Sequence, residues 1–294
     1  MDGFICVDKP KGPSSFAVTN SVRKVFKTKK AGHAGTLDPM ASGLLLVALG
    51  NCTRLLQYLN LEPKVYEFSI KFGQSTDTLD AEGSVTASSG VYPSRQQLIN
   101  ITKQFIGELE QLPPLYSAIK IGGKPAYKFA REGVDVELNT RKITIFSLEL
   151  IGYDDDGAQA DFVVSCSSGT YVRSLARDIV KAVGAEGFVN KLRRTKTGLF
   201  NVDKSVDYQN IENASNYVIP SNEAFDDSQK VILSDEQKAA VFFGKDVELG
   251  CDRNENLLIA FDRDNELTAV LRKADNKYHP ERVFNSPLIK LIIQ

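Results

Sequence analysis

A carboxylate in a glycine-rich segment is the first group in this chain that could do chemistry. Asp38 lies within residues 31–50, in a run with glycines at positions 32, 35 and 43, and Pro39 follows it. Glycine permits positive φ angles and close backbone approach, and a proline disfavours helical backbone at the preceding residue. The pattern predicts that Asp38 projects from a tight loop, as catalytic groups commonly do. Taken alone, an Asp-Pro pair is also typical of an ordinary turn.

Two further segments carry side chains that could work with this carboxylate. Residues 65–72 alternate in polarity, which predicts a strand with Tyr66 on its buried face. Tyr171 and Arg173 fall where a predicted strand runs into a predicted helix. A guanidinium close to a carboxylate keeps it ionised and in one orientation. From the pattern alone, however, Tyr66 is interpreted as a core tyrosine and Arg173 as a surface helix residue.

The elements that would position these groups include both strands and helices. Apart from 65–72, strands are predicted at 3–7, 142–151 and 160–166. Helices are predicted where a serine can cap the first turn, after Ser14 or Ser15 and after Ser94, and again around Leu175.

The C-terminal third has a different character. Residues 201–229 are polar and rich in Asn, Ser and Asp, which indicates a boundary region. Ser234 and Gln237 then cap a short predicted helix. Beyond it, short strands are predicted at 246–249, 257–261 and 266–272, with an apolar tail at 288–293.

Composition sets limits on the class of protein. The chain has 294 residues, of which 42% are hydrophobic and 25% charged, as in ordinary globular proteins. The net charge is −1, so any surface that binds nucleic acid must be a local one. The N-terminus lacks a signal-peptide pattern, and no apolar run approaches the roughly 18 residues of a membrane span. These features predict a cytoplasmic protein without membrane attachment.

The cysteines and histidines argue against a metal or disulfide framework. The four cysteines are scattered and form no Cys-x-x-Cys pair, which favours reduced, mostly buried thiols: Cys6, Cys52, Cys166 and Cys251. The two histidines, His33 and His279, are far apart, which argues against a histidine-based metal site. We expect no metal.

Positive charge is concentrated in three short stretches, 23–30, 120–131 and 191–196. The second alternates cations with aromatic residues, the combination that RNA recognition uses for phosphates and stacked bases. The alternative is that each stretch is simply a solvated face.

Four segments together resemble the TruB-type pseudouridine synthase family, whose members act on the T arm of tRNA. The segments occur in the family's order and are VDKPKGPSS at 7–15, GHAGTLDPMASGLL at 32–45, GQSTDTLDAEG at 73–83 and CSSGTYVR at 166–173. We interpret the third as mainly structural, with short Thr and Asp side chains that satisfy backbone donors in a turn.

The resemblance implies a fold and a domain organisation. The fold class is α/β (α+β), with a mixed, largely antiparallel sheet in the catalytic domain and a small, β-rich, PUA-like C-terminal domain. The implied boundaries are 1–229 for the catalytic domain, with an RNA-clamping insertion at about 112–133, and 230–294 for the RNA-binding domain.

The resemblance also implies a reaction, the isomerisation of the uridine at position 55 in the T loop of tRNA to pseudouridine. Asp38 is the implied catalytic residue. Tyr66 would stack on the base, Tyr171 would line its pocket and Arg173 would orient the carboxylate. Lys9 and Pro10 would support the Asp38 loop, and His33 would contact the T loop. Leu192 would pack beneath the target nucleotide, and its neighbours Arg193 and Arg194 would approach the RNA. The reaction is an isomerisation, so no cofactor is expected, and the expected state is a monomer.

Two alternatives remain open from the sequence. One is a guide-RNA-dependent pseudouridine synthase subunit, which shares the segment around Asp38. The other is a tRNA-binding or folding chaperone on the same scaffold, although the presence of Asp38, Tyr66 and Arg173 together argues against a purely binding role.

Overall fold

The computed structural model describes residues 1–154, 158–249 and 255–284. The tail predicted at 288–293 and Cys251 lie outside these residues, while Cys6, Cys52 and Cys166 are buried free thiols. The elements in chain order are β1 Gly3–Lys9, α1 Ser15–Val25, β2 Ala31–Ala34, β3 Ser42–Leu49, β4 Lys64–Phe72, β5 Gln74–Thr76, β6 Val85–Ser88, α2 Arg95–Thr102, β7 Gly107–Gln111, β8 Lys120–Ile121, β9 Lys124–Pro125, α3 Ala126–Arg131, β10 Arg141–Asp154, β11 Gln159–Cys166, α4 Val172–Ala182, β12 Gly187–Thr197, β13 Phe200–Asn201, β14 Val206–Asp207, β15 Lys230–Ile232, α5 Asp235–Phe242, β16 Leu257–Phe261, β17 Leu267–Ala274 and β18 Lys277–Val283. Short 3₁₀ helices link several of them, at 50–54, 56–58, 103–105, 202–204, 208–217, 221–223 and 227–229.

A mixed, mostly antiparallel sheet forms the larger part of the fold. Its main path runs β14-β1-β3-β12-β4-β11-β10-β7, with β2 paired to β3 and β13 to β12. Among these pairs β1 with β14 and β3 with β12 are parallel. This sheet confirms the predicted fold class, and it brings β3, which follows the Asp38 loop, beside β12 and close to β4.

Local sequence signals explain why several elements begin where they do. Ser14 accepts a hydrogen bond from the backbone of α1, and Ser94 forms the predicted capping box with Gln97 at the start of α2. The alternation of β4 places Tyr66 and Phe68 on the buried face, where Phe68 stacks on Phe162 of β11 with ring centroids 5.1 Å apart.

A second, four-stranded sheet in the order β15-β16-β17-β18 begins at Lys230. This sheet confirms a β-rich C-terminal region, but the prediction of a strand at 246–249 is wrong. Within the described residues, that segment forms a single bridge between Val247 and Tyr278. The helix capped by Ser234 and Gln237 is confirmed as α5.

The two sheets share a hydrophobic cluster. Leu44 and Leu46 of β3 pack in one cluster with Ile259, Phe261 and Val270 of the second sheet. The hydrophobic core on one face of β3 is therefore continuous with that of the C-terminal sheet.

Candidate active site

The loop that carries the candidate carboxylate is held by groups from the first strand and the first helix. Lys9 is fully buried, and its Nζ donates hydrogen bonds to the carbonyl oxygens of Pro39 at 3.3 Å and Ala41 at 2.6 Å. The Oγ of Ser15 donates to the carbonyl of Leu37 at 2.9 Å and accepts from its N–H at 2.8 Å. These contacts hold the loop on both sides of its carboxylate.

Lys9 and Pro10, the residues predicted to support the loop, lie behind it. The carbonyl of Pro10 accepts a third hydrogen bond from Lys9 Nζ at 3.0 Å, and the N–H of Gly12 donates to the carbonyl of Pro39 at 2.8 Å. Burial lowers the pKa of Lys9 to about 8, and the negative charge of Asp38 opposes that shift. Three carbonyl oxygens therefore accept from this buried ammonium group.

Arg173 contacts Asp38 directly and is saturated by its neighbours. Its Nε donates to Asp38 Oδ2 at 2.9 Å, and its Nη2 lies 2.7 Å from the same oxygen. The carbonyl oxygens of Thr78 and Tyr116 accept from Nη1 at 2.7 Å and Nη2 at 2.9 Å, and Asp80 lies 3.5 Å from Nη1. The Arg173 side chain is 3% exposed and that of Asp38 38% exposed. The interpretation of Arg173 as a surface residue from the pattern alone is wrong.

Asp80 is a residue of the site that the sequence reasoning missed. It accepts from Thr78 Oγ1 at 2.7 Å and from the Glu82 N–H at 3.0 Å, so the 73–83 turn is structural as predicted. The same turn also presents Asp80 and the Thr78 carbonyl to Arg173. The carboxylate of Asp80 in the family segment at 73–83 was the sequence signal that could have revealed it. However, nothing in the neighbouring sequence shows which cation that carboxylate faces.

A cavity of about 320 Å³ opens beside the carboxylate. This volume is at the low end of the range for small-molecule sites. Five of the predicted site residues line it, namely Asp38, Tyr66, Tyr171, Arg173 and Leu192. Lys64, Arg141 and Ile119 line it as well, and none of these three was predicted.

Tyr66 and Tyr171 are held in different ways. Tyr66 is buried on β4, and burial raises the pKa of its phenol, so the hydroxyl is neutral at neutral pH. The backbone of Tyr171, at the start of α4, exchanges hydrogen bonds with the Gln111 side chain at 2.8 and 3.1 Å. The guanidinium of Arg141 lies 5.2 Å from the centre of the Tyr171 ring.

The basic run on β12 is divided between different environments. Leu192 is 8% exposed and lines the cavity. Arg194 is 1% exposed and donates to the carbonyls of Gly35 at 2.7 Å and Leu44 at 2.8 Å. The expectation that Arg194 approaches RNA is therefore wrong, because the guanidinium is committed to the two ends of the Asp38 loop.

Arg193 points away from that loop. It forms a two-pronged ion pair with Asp8, with nitrogen to oxygen distances of 2.9 and 2.7 Å, and remains partly exposed.

His33 lies beside the cavity and does not line it. Its Nδ1 is 2.9 Å from Thr19 Oγ1 on α1, and its Nε2 is 3.3 Å from Thr36 Oγ1. Burial, and then the positive charge of Arg194, lower the pKa of His33. The imidazole therefore favours its neutral form at neutral pH.

The 112–133 segment forms a small hairpin, β8 with β9, followed by α3. Lys124 contacts the Phe129 ring and pairs with Glu132, and Arg131 lies 5.6 Å from the centre of the Tyr127 ring. One face of each ring is therefore already covered by a cation of the same segment.

Two general properties concern only the part of the chain that the structure describes. No group of three or more His, Cys, Asp or Glu side chains there could hold a metal ion. None of its helices has the length and apolar character needed to cross a membrane.

Comparison with known proteins shows which family the chain resembles. The profile of the TruB family pseudouridylate synthase N-terminal domain matches residues 23–172, and that of the tRNA pseudouridylate synthase B C-terminal domain matches residues 173–237. A tRNA pseudouridine synthase B of a Caulobacter species is 41% identical over 255 residues, which cover 85% of this chain and 82% of the relative. That of Caulobacter vibrioides is 38% identical over 299 residues, covering 97% and 96%.

A solved structure of an H/ACA RNP bound to a substrate RNA containing 2′-deoxyuridine holds a chain of similar fold. Its TM-score is 0.72 at 25% identity, and the match covers 97% of this chain and 85% of the other. Together with the relatives, this similarity identifies the protein as a member of the TruB family of pseudouridylate synthases.

Proposed function

We propose that this pseudouridine synthase converts the uridine at position 55, in the T loop of tRNA, into pseudouridine with Asp38 as its catalytic carboxylate. The curated relatives, which are named tRNA pseudouridine synthase B, support tRNA as the substrate. The observation that carries the proposal is the contact of 2.7 Å between Arg173 and Asp38 on the wall of a ligand-sized cavity.

The reaction requires that the target base leave its stack, because its glycosidic bond is otherwise out of reach. The partly exposed carboxylate of Asp38 then either attacks the ribose or removes a ribose proton. Both routes break the N1–C1′ bond, after which the uracil ring turns and C5 bonds to C1′. Arg173 holds the carboxylate in one orientation throughout, because each of its nitrogen atoms is hydrogen-bonded to protein.

The other cavity residues supply shape. Tyr66 offers a buried ring for stacking on the base, and Leu192 offers an apolar floor beside it. Tyr171, fixed through its backbone by Gln111, closes another wall. His33, outside the cavity, contacts the T loop, while Lys9 and Pro10 support the Asp38 loop from behind.

Two regions outside the cavity hold the RNA. The 112–133 segment reaches the cavity, because its Ile119 lines the wall. It carries the exposed cations Lys120, Lys128 and Arg131. Residues 230–294 form a PUA-like RNA-binding domain in this proposal, and the protein acts as a monomer.

Incubation of the pure protein with an unmodified tRNA transcript tests the proposal. We expect one pseudouridine at position 55, with no guide RNA and no added cofactor, and none in a transcript that carries cytidine at that position. Modification at another position would contradict the site, and modification that needs a second RNA would contradict the stand-alone activity.

A guide-RNA-dependent activity is the second candidate. The structural similarity to a chain of an H/ACA RNP, at a TM-score of 0.72, favours it. The transcript experiment separates the two candidates, because a guided enzyme leaves an unaccompanied tRNA unmodified.

A further inference from the structure

Lys64 is a cation of the cavity to which neither the comparisons nor the predicted site residues give a role. It is the first residue of β4 and lies two positions before Tyr66, so both side chains project from the same face of the strand. Both also line the cavity. The ammonium nitrogen lies next to Gly35, about 3.4 Å from where a β-carbon on that glycine would be. Lys64 therefore reaches over the start of the Asp38 loop.

The ammonium group of Lys64 has no partner among the described residues, neither a hydrogen bond nor an ion pair. The nearby Glu62 forms no ion pair with Lys64, although its negative charge opposes the lowering of the Lys64 pKa, and its Oε1 accepts from the Ser168 N–H at 2.8 Å. Burial, and then the positive charge of Arg194, lower the pKa of Lys64. A half-buried cation without an acceptor is costly to the protein, and an anion in the cavity would remove that cost.

The other cations of the cavity are already engaged. Arg173 donates to Asp38, Thr78 and Tyr116. Arg141 lies over the Tyr171 ring and donates to the Gly169 carbonyl at 3.4 Å. Among the cavity's cations in the described part of the chain, Lys64 is the one that makes neither a hydrogen bond nor an ion pair to protein.

The proposed reaction generates an anion in this cavity. When the N1–C1′ bond breaks, its electron pair leaves with the uracil ring, and the negative charge spreads over the ring nitrogens, O2 and O4. In the first route C1′ then bonds to Asp38. In the second route Asp38 removes a ribose proton, and the electron pair of the broken C–H bond is shared with C1′. The ring later returns an electron pair from C5 to C1′, and the proton lost at C5 is matched by one gained at N1.

We propose that Lys64 is a further catalytic residue, whose ammonium group contacts the departing uracil and stabilises its negative charge. The inference rests on the proposed function and extends it. The ammonium stays protonated throughout, so it acts as a fixed charge near the place where charge develops. Stabilisation of this kind has its effect on the rate of bond breaking and little effect on the binding of tRNA.

Replacement of Lys64 by methionine tests this role, because methionine keeps an unbranched chain and removes the charge. We expect the single-turnover rate with excess enzyme to fall by about 10²- to 10³-fold, the loss typical of one preorganised donor. The tRNA Kd should stay within about threefold of that of the wild type. Lys71→Met is the matched control, because Lys71 is an exposed lysine of the same strand outside the cavity.

A better leaving group separates charge stabilisation from a structural role. Fluorine at C5 withdraws electrons and stabilises the uracil anion by itself. With 5-fluorouridine at the target position, the loss of the N-glycoside in the Lys64→Met variant should therefore recover by at least about tenfold relative to wild type. A variant that merely misplaced Asp38 would be slowed equally on both substrates.

Three results would overturn the proposal. They are a wild-type rate in Lys64→Met, an increase in Kd with an unchanged rate, and an equal loss of rate on uridine and 5-fluorouridine. If Lys64→Met does not fold, Lys64→Arg replaces it, because this change keeps the charge but moves it. Its rate is measured with both substrates, and the loss of rate must be smaller on 5-fluorouridine than on uridine. A wild-type protein that makes no pseudouridine would instead contradict the proposed function.

Discussion

Arg173 Nη2 lies 2.7 Å from Asp38 Oδ2, although the two residues are 135 positions apart in the chain. The carboxylate belongs to the loop between β2 and β3, and the guanidinium to the first turn of α4. Hydrogen bonds to the Thr78 and Tyr116 carbonyls fix the guanidinium from two further segments. A change in any of these segments can therefore disturb the carboxylate.

Asp38→Asn should bind tRNA normally and form no detectable pseudouridine. The amide keeps the size of the side chain but lacks the negative charge and the nucleophilicity that either route requires. The free energy of unfolding should fall by less than about 2 kcal/mol, because the amide still accepts from Arg173. Pseudouridine mapping and urea unfolding measure the two effects, and substantial turnover by the variant would contradict the mechanism.

Asp80→Asn should lower the single-turnover rate by about 10²-fold, because it loosens the guanidinium that orients Asp38. The loss should be strongly non-additive with that of Arg173→Lys, since both changes act through one guanidinium. Asp77→Asn is a control in the same turn, because Asp77 is exposed and does not contact Arg173. Additive losses in the double variant would show that Asp80 acts by another path.

Arg194→Ala should destabilise the fold by roughly 2–4 kcal/mol and leave the salt dependence of tRNA binding unchanged. The variant deprives the buried Gly35 and Leu44 carbonyls of their donor, and each loss costs about 1–3 kcal/mol. Arg193→Ala, which removes a partly exposed ion pair, should cost less than about 1 kcal/mol. Urea unfolding of both variants checks the contrast, and equal stability of the two would argue that Arg194 is not structural.

Lys120→Ala with Lys128→Ala should reduce the salt dependence of tRNA binding. Both lysines are exposed on the 112–133 segment. Each lost phosphate contact should reduce the slope of log K against log salt by roughly 0.7–0.9. Binding measured at several salt concentrations tests this, with Lys103→Ala for comparison, because Lys103 is exposed and lies outside the basic stretches and the C-terminal region. An unchanged slope would remove this segment from the RNA interface.

Stability should rise with pH above about 8 because of Lys9. The pKa of Lys9 is lowered to about 8 in the folded protein, mainly by burial. Between this value and the ordinary pKa near 10.4, the unfolded chain binds more protons, so the free energy of unfolding increases by up to about 3 kcal/mol across the window. The difference in urea midpoint between wild type and Lys9→Met, measured from pH 7.5 to 10, should grow with pH. A constant difference would contradict the lowered pKa.

The sequence by itself determined the local structure and the family. A serine cap bonds to a backbone group three residues on, and the polarity of β4 alternates from one residue to the next. Both signals act over a few residues, so the helix starts and the burial of Tyr66 were predictable. The separate motifs also placed Asp38, Tyr66, Tyr171, Arg173 and Leu192 in one expected site, and these residues line one cavity.

Only the tertiary structure decided where the charged side chains lie. Local patterns assign Lys and Arg to the surface because burial of an unpaired charge is costly. Carbonyl oxygens and carboxylates from distant segments offset that cost for Lys9, Arg173 and Arg194, and no local pattern encodes those partners. For the same reason the contact of Asp80 with Arg173 and the role proposed for Lys64 emerge only when the chain is folded. The first depends on α4 meeting the turn at 73–83, and the second on the cavity that the start of β4 lines.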